Sequence, residues 1–421
     1  MKAAIIGYGK SGAAAEKLLR RKGVEDIEIF DDKSGKYPDI SEYSETFDIT
    51  VVSPGVDRSK YGSLPDKVTS EIELAYEAMN KNARVIAVTG TNGKSTTTHL
   101  TAQILNNAGI KAVACGNIGY TFGDAVLEHN ADAFVIELSS FQIELLNRFE
   151  ADCGCIINIT PDHLDRYGAM DLYRAAKLRL MNFIKKEGLF VADGNPEIVN
   201  EAILHKFKAR YIDSSFISFP KIESGMLNFG GFHVNLSKFN LFGSHNIVNL
   251  SFALTMAGHI CSFEGDVSYL LKDLSCMPHR TELIAEINGV KWINDSKATN
   301  VDSVHTALLS VRKPSFLLIG GRDKKSDYTP LAPVIKENVS AVCYFGEAGE
   351  LIKGQLSPLI NGVKEMIFPT LKDCVRETAA LVSSGDTVIL SPACTSFDEF
   401  SSYEDRGEKF KEYVLLYGGD I

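Results

Sequence analysis

The chain has 421 residues, of which 45% are hydrophobic and 23% charged, with a net charge of −10. At about 150 residues per domain this length predicts two or three domains, and the composition is that of an ordinary globular protein. The acidic balance argues against general nucleic-acid binding. No apolar run reaches the length of about 18 residues that a membrane-spanning helix needs, and the N-terminus does not resemble a signal peptide. We therefore expect a cytoplasmic protein.

The first strand pattern leads into a glycine-rich turn. In "AAIIGYGKSG", Gly7, Gly9 and Gly12 have the spacing of a dinucleotide-binding fingerprint, and Asp31 follows the next strand pattern, "IEIF". In that fingerprint the glycines let the backbone approach a diphosphate, and the acid binds a ribose hydroxyl. An NAD-dependent oxidoreductase is therefore one hypothesis. However, the block has room for about four strands where a full dinucleotide site uses about six, so it suits a mononucleotide or a nucleotide-sugar diphosphate better.

A second phosphate motif, "VTGTNGKST", follows a strand pattern that ends at Thr89 and opens a helix pattern. Backbone N–H groups of such a turn and the positive end of the helix dipole attract phosphate. Lys94 is placed for the β- and γ-phosphates, and Ser95 or Thr96 for the magnesium shell. The motif departs from the usual P-loop because Val88 stands at its first glycine position. The context of strand, turn and helix still predicts a nucleotide site.

Polar side chains follow the next strand patterns. Glu137 ends "AFVIE", and His163 lies between Asp162 and Asp165 in "NITPDHLDRY". At the carboxyl edge of a parallel sheet such groups bind one or two divalent ions together with water and phosphate. Read singly, Glu137 is an exposed strand-end acid and His163 a capping or surface residue. The helix pattern "DLYRAAKLRLMNF", with Leu172 on its apolar face, predicts that Lys177 is solvated.

Short β-branched runs alternate with helix patterns along the whole chain. This alternation predicts an α/β protein with parallel sheets. We expect three blocks, residues 1–75, 76–275 and 276–421. The stretch "FISFPKIESGMLNFGGFHVNLSKFNLFG" alternates as antiparallel hairpins do, so we expect a small extra sheet in the middle block. The cysteines lack a metal-like spacing, and we expect reduced strand cysteines.

The chain resembles the Mur ligase family along its length, through "GTNGKST", "GNIG", "ELSSFQIE", "DHLDRY", "YRAAKLRL", "GSHNIVN", "PHRTE", "NDSKATN", "GGRDKKSDY" and "SPACTSFDEF". The glycine missing at Val88 is also absent from the family's loop. The resemblance implies an N-terminal Rossmann-like domain that binds a UDP-sugar. It also implies a central P-loop ATPase-like domain that binds ATP and two Mg²⁺ ions, and a C-terminal Rossmann-like α/β domain that binds an amino acid. The implied reaction joins a carboxylate to an amine through an acyl phosphate and a tetrahedral intermediate.

Within the family the chain is most similar to the branch that adds D-glutamate to UDP-N-acetylmuramoyl-L-alanine in peptidoglycan precursor synthesis. The branch that adds diaminopimelate or lysine carries an Asp-Asn-Pro-Arg motif, which this sequence lacks. The L-alanine-adding branch usually has histidine where this chain has Asn92. That branch and a catalytically silent nucleotide-binding module are kept as alternatives beside the oxidoreductase. We expect a monomer with no nucleic-acid or membrane partner.

The resemblance also implies a role for individual residues. The implied catalytic residues are Lys94, Asn117, His163 and Lys177. The implied ATP-binding residues are Gly90, Thr91, Asn92, Gly93, Lys94, Ser95, Thr96, Asn246, Arg280 and Asp295. The implied magnesium ligands are Ser95, Glu137, His163 and, if carbamylated, Lys177. The implied nucleotide-sugar contacts are Lys10, Ser11, Asp32, Lys33, Ser53 and Gly55. The implied amino-acid contacts are Lys297, Thr299, Lys324, Ser396 and Tyr403. Tyr403 replaces a family phenylalanine, and Lys325 competes with its neighbour Lys324 for the same role.

Overall fold

The computed structural model describes residues 1–32, 35–43, 47–57, 68–194, 198, 208–212, 219–239, 244–275 and 277–418. Lys33, one of the expected nucleotide-sugar contacts, lies outside these residues. The chain divides into two compact units. The N-terminal unit comprises residues 1–239 and 248–274, and the C-terminal unit comprises residues 240–247 and 275–421.

The first sheet of the N-terminal unit has three parallel strands in the order β2-β1-β3. They are β1 (Lys2–Ile6), β2 (Asp26–Phe30) and β3 (Ile49–Val52), and α1 (Lys10–Arg21) follows β1. The alanine and isoleucine side chains of β1 are buried, as in parallel strands that are covered on both faces. Within the described part of this block the sheet therefore has three strands, about half of a dinucleotide-binding sheet.

The central sheet has six parallel strands in the order β5-β6-β4-β7-β8-β9. The strands are β4 (Arg84–Thr89), β5 (Ala112–Gly116), β6 (Ala133–Glu137), β7 (Ala151–Ile156), β8 (Ile184–Asp193) and β9 (Lys208–Ile212). The helices are α2 (Glu71–Ala78), α3 (Lys94–Asn107), α4 (Phe122–Glu128), α5 (Ser140–Glu144), α6 (Leu164–Tyr167) and α7 (Met170–Leu178). Because β6 and β7 flank β4, the segments that follow them lie on either side of the phosphate motif.

A small four-stranded sheet lies in the same unit. Its strands are β10 (Lys221–Glu223), β11 (Met226–Asn228), β12 (Phe232–Asn235) and β13 (Gly265–Asp266). The first three pair antiparallel, which confirms the predicted hairpins, whereas β13 pairs parallel to β12 from outside the predicted stretch. In sequence, α8 (Ser244–Cys261) lies between β12 and β13. Its residues up to 247 belong to the C-terminal unit and those from 248 onward to the N-terminal unit.

The C-terminal unit contains a six-stranded sheet in the order β14-β15-β19-β16-β17-β18. Its strands are β14 (Glu282–Ile287), β15 (Val290–Asn294), β16 (Ser315–Gly320), β17 (Ala341–Phe345), β18 (Lys364–Phe368) and β19 (Thr387–Ala393). Only the β14–β15 pair among these is antiparallel. The helices are α9 (Val301–Leu308), α10 (Ala332–Asn338), α11 (Gly349–Leu356), α12 (Leu371–Ala379) and α13 (Tyr403–Tyr417).

Helix α2 connects the first two sheets. It packs against α1 and α4, and its buried Glu73 accepts backbone N–H bonds from Asn147 at 2.7 Å and Phe149 at 3.0 Å. Buried Glu71 accepts the N–H of Gly123 at the start of α4. The expected joint after residue 75 falls inside this helix, and the expected joint after residue 275 falls beside the division between the units. The boundaries of the three blocks stay a prediction.

None of the described helices has both the length and the apolar character that are needed to cross a bilayer.

Candidate functional site

The phosphate motif forms a tight loop between β4 and α3. Gly93 has a φ of 82°, and a Cβ there would lie 2.5 Å from Oδ1 of Asn249, so only glycine fits. Asn158, which follows β7, holds the loop from the side. Its Oδ1 accepts the backbone N–H groups of Thr91 at 3.1 Å and Asn92 at 2.9 Å. The loop is thus preformed at the N-terminus of the 14-residue helix α3, where backbone N–H groups attract anions.

Two lysine side chains meet at this loop. Lys94 Nζ donates to the carbonyl oxygens of Gly90 at 2.9 Å and Thr91 at 2.6 Å. Lys177 Nζ donates to the same Gly90 oxygen at 2.8 Å. The loop therefore places the positive charge of Lys94 where an anionic ligand would be bound.

Lys177 is only 2% exposed, so the sequence-based prediction of a solvated lysine is wrong. Helix α7 buries only part of the face that its apolar pattern predicts. Leu172 is 59% exposed, whereas Ala176 and Tyr173 are buried, and Tyr173 lies one turn before Lys177 on the inward face. The Lys177 Nζ lies 4.8 Å from the Tyr173 ring centroid, and the Tyr173 hydroxyl is 3.0 Å from the hydroxyl of Thr91.

The surroundings of Lys177 change its protonation. Burial and the charge of nearby Lys94 hold the pKa of Lys177 well below its usual range, and the weaker influence of Asp162 and Glu137 only partly opposes them. The neutral amine is therefore far more populated near pH 7 than it is in an exposed lysine.

Glu137 lies at the end of β6 beside the loop and is 2% exposed. The interpretation as an exposed acid is wrong because β6 is an interior strand next to β4. Ser95 donates its hydroxyl to Oε2 of Glu137 at 2.5 Å, and Asn117 donates its amide to Oε1 at 3.0 Å. The structure thus brings the three predicted residues together and supplies the oxygen donors that Mg²⁺ prefers.

His163 precedes α6 in a left-handed conformation, with φ of 53°, and its side chain is 47% exposed. Its Nε2 lies 3.6 Å from Asp162 Oδ2, and its ring centroid lies 6.2 Å from that of Tyr173. Across the described ranges, no group of three or more His, Cys, Asp or Glu side chains could hold a metal ion. A magnesium ion at the loop would therefore need hydroxyl, water and phosphate oxygens in addition.

A separate cavity of about 520 Å³ opens in the first sheet. The expected nucleotide-sugar contacts that line it are Lys10, Ser11, Asp32, Ser53 and Gly55. It is a larger space than the neighbouring cavity of about 290 Å³ around Arg166.

Asp31, the fingerprint acid, also lines this cavity but is only 9% exposed. Its Oδ2 accepts the backbone N–H of Tyr8 at 2.6 Å. The acid thus stabilises the glycine turn in addition to any contact with a ligand.

In the C-terminal unit, Asp295 follows β15 and is buried. Its carboxylate accepts the Ser391 hydroxyl at 2.8 Å and the Thr281 backbone N–H at 3.0 Å. Burial raises the pKa of Asp295 to about 7, against the lowering effect of these bonds and of the Arg280 charge. The acid therefore anchors the segment that carries half-buried Arg280, and its predicted contact with the ribose stays a prediction.

The expected amino-acid contacts differ in their surroundings. The Lys297 Nζ lies 3.7 Å from the ring centroid of Tyr403, and the Thr299 N–H donates to the Lys297 carbonyl at 2.8 Å. Ser396 is 2% exposed, whereas Lys324 is exposed like an ordinary surface lysine. Asn246, an expected ATP contact, is buried in α8.

Arg406, which no sequence pattern singles out, is fully buried in α13. Its guanidinium donates to the Ser296 hydroxyl at 2.9 Å and to the carbonyl oxygens of Ser296 at 2.8 Å, Cys394 at 3.1 Å and Thr395 at 3.2 Å. Arg406 thus ties together the loops that carry Lys297 and Ser396. An arginine in a helix pattern gives no signal of such burial, because its partners lie up to 110 residues away.

Known proteins are similar to this chain along most of its length. A model of the Mur ligase middle domain matches residues 88–257, and a model of the Mur ligase, glutamate ligase domain matches residues 279–394. The UDP-N-acetylmuramoylalanine--D-glutamate ligase of Caldicellulosiruptor saccharolyticus is 36% identical over 98% of this chain and 98% of its own. That of Fusobacterium nucleatum is 34% identical over 99% and 100%. The solved MurF ligase from Thermotoga maritima in complex with ADP shares the fold, with a TM-score of 0.63 and 17% identity over 98% and 95% of the chains.

Proposed function

The chain belongs to the Mur ligase family, whose members are ATP-dependent ligases that form amide bonds, and we propose that it adds D-glutamate to UDP-N-acetylmuramoyl-L-alanine. The names of the relatives that span nearly the whole chain support this choice of substrates. The reaction would supply a peptidoglycan precursor in the cytoplasm. The chain would act as a monomer, without nucleic-acid or membrane partners.

The observation that carries the proposal is the pair of lysine nitrogens on one carbonyl oxygen. Lys94 and Lys177 both donate to Gly90, at the N-terminus of α3. In the proposed role Lys94 turns from the Gly90 carbonyl to a phosphate, and the loop N–H groups from 90 to 96 hold the remaining oxygens. The charge of Lys94 screens the anionic carboxylate and the triphosphate from each other, so that the carboxylate can attack the γ-phosphorus.

The donor set also fits magnesium. Ser95, Glu137 and His163 would hold the ions, which would neutralise charge on the phosphate oxygens. Asn117 would keep the Glu137 carboxylate oriented, since it already donates to Oε1 at 3.0 Å. The hydroxyl of Ser95 would exchange its bond to Glu137 for a bond to a metal ion.

We further propose that Lys177 is carbamylated and serves as a magnesium ligand. A neutral lysine nitrogen attacks CO₂, forms an N–C bond and releases one proton, which leaves a carboxylate on the side chain. Burial beside Lys94 favours the neutral amine that this reaction needs. The new anion would also be stabilised by the Lys94 charge.

The C-terminal unit would bind D-glutamate. Lys297, with Lys324 or Lys325, would face its carboxylates, and Thr299, Ser396 and Tyr403 would provide polar contacts. Arg280, Asn246 and Asp295 would contribute to ATP binding. The amine of D-glutamate would attack the acyl phosphate, and the tetrahedral intermediate would then expel phosphate.

Phosphate release tests the proposal. ATP, magnesium and UDP-N-acetylmuramoyl-L-alanine are supplied with a panel of amino acids that includes D-glutamate and L-alanine. We expect steady release only with D-glutamate present. The variant Lys94→Met should lose about 100-fold or more in rate, whereas exposed Lys111→Met should match the wild type. Release that depends on L-alanine, or full activity of Lys94→Met, would contradict the proposal.

A further inference from the structure

Arg166 connects two segments of the N-terminal unit that are far apart in sequence. Its Nη1 donates to the carbonyl oxygen of Pro54 at 3.1 Å, and its Nη2 donates to that of Val56 at 3.5 Å. Both carbonyls belong to the loop 53–57, which follows β3 and carries Ser53 and Gly55. That loop lines the cavity of about 520 Å³ in the first sheet.

The guanidinium of Arg166 is held in one orientation. Its central carbon lies 4.1 Å from the centroid of the Phe141 ring, and its Nη2 lies 3.7 Å from Oε2 of Glu144. The Phe141 ring in turn stacks on Tyr167 with a centroid distance of 5.7 Å. A guanidinium that lies on an aromatic face keeps the N–H donors in its own plane, from which they reach two carbonyls at once.

Arg166 also belongs to the part of the N-terminal unit that carries the proposed magnesium ligands. Arg166 lies in α6, three residues after His163, and Phe141 lies in α5, four residues after Glu137 at the end of β6. A smaller cavity of about 290 Å³ is lined by Arg166 and shares Pro54, Val56 and Asp57 with the larger one. The contact therefore sets the position of the loop 53–57 against the segments that carry the proposed magnesium ligands.

We propose that Arg166 is a positioning residue for the nucleotide-sugar: it fixes the loop 53–57 so that the substrate held there directs its carboxylate to the phosphate loop. This inference rests on the proposed function. Arg166 acts through the two loop carbonyls and does not itself contact the reacting atoms. Its loss should therefore weaken the use of the nucleotide-sugar selectively, because neither ATP nor the amino acid depends on the loop 53–57.

The test compares Arg166→Gln and Arg166→Lys with the wild type in steady-state kinetics. We expect Arg166→Gln to raise KM for UDP-N-acetylmuramoyl-L-alanine about tenfold, with KM for ATP and D-glutamate changed by less than about twofold. Arg166→Lys should lie between the two, since an ammonium group keeps the charge but not the planar pair of donors. Arg148→Gln is the matched control, because the Arg148 side chain is 75% exposed and pairs with Glu77.

A parallel rise in all three KM values, or kinetics equal to those of the wild type, would overturn the inference. If Arg166→Gln does not fold, Phe141→Leu replaces it, since this variant keeps the arginine and removes the ring that orients it. The same selective rise in KM, of smaller size, is then expected.

Calorimetric binding of the nucleotide-sugar without ATP separates the two proposals. An inactive wild type would refute the proposed function, whereas equal binding by wild type and Arg166→Gln would refute the positioning role alone.

Discussion

Lys177 shows why the neighbours of a residue decide its chemistry. Its hydrogen-bond partner, the Gly90 carbonyl, lies 87 residues earlier in the chain. A pattern of apolar residues along one helix contains no information about such a partner, so the helix periodicity predicted a solvated lysine. The same holds for Glu137, whose burial follows from the position of β6 beside β4 in the sheet order.

The proposed carbamate predicts a specific result for Lys177→Met. This variant should lose about 100-fold or more in phosphate release but still bind ADP, because the loop N–H groups remain. Native mass spectrometry in bicarbonate should find one added carboxyl group on the wild type and none on the variant. Because the pKa of Lys177 is held low, its amine stays neutral down to a lower pH than the amine of an exposed lysine. The carbamate should therefore also persist to a lower pH. Exposed Lys186→Met is the control, and undiminished activity of Lys177→Met would remove the role.

Local sequence was nevertheless sufficient for the phosphate loop itself. The order of strand, glycine turn and helix predicted β4, the loop and α3, and the left-handed φ of Gly93 explains why glycine is required there. Side chains that hold the loops from outside were missed. Asn158, Arg166 and Arg406 each act on backbone groups distant in sequence, so that only the fold reveals them.

At the scale of elements, α2 and α4 are joined by a carboxyl group whose ionisation is coupled to folding. Burial raises the pKa of Glu71 from 4.5 to about 7, although the N–H of Gly123 partly opposes the shift. A raised carboxyl pKa contributes stability that is fully present below the unfolded pKa and is lost as the pH rises through the folded pKa. The contact between the two helices should therefore weaken between about pH 4.5 and about pH 7.

The variant Glu71→Gln tests this coupling. At about pH 9 the wild type has a buried carboxylate, which the variant lacks. The opening free energy of α2 and α4, measured by hydrogen exchange, should therefore be higher in the variant by up to about 3 kcal/mol. At about pH 5 the carboxyl is protonated in the folded chain and the difference should largely vanish. Exposed Glu77→Gln, on the same helix, should show no such trend. A pH-independent difference at α2 would show that ionisation of Glu71 is not the cause.

At the scale of the whole molecule, the candidate groups are divided between the two units. The phosphate loop and the first-sheet cavity belong to the N-terminal unit, and Lys297, Ser396 and Tyr403 belong to the C-terminal unit. The alternation of strands and helices predicted the parallel sheets of both units correctly. The three-block division stays a prediction, because the expected joint after residue 75 lies inside α2, which packs against both α1 and α4.

Isotope transfer tests the central claim most directly, because it follows the proposed bond changes themselves. UDP-N-acetylmuramoyl-L-alanine labelled with ¹⁸O in its carboxylate is incubated with ATP, magnesium and D-glutamate. If the carboxylate attacks the γ-phosphorus and the amine later expels phosphate, one labelled oxygen must appear in the released phosphate and the other in the amide product. Phosphate without label, together with unchanged UDP-N-acetylmuramoyl-L-alanine, would contradict the account.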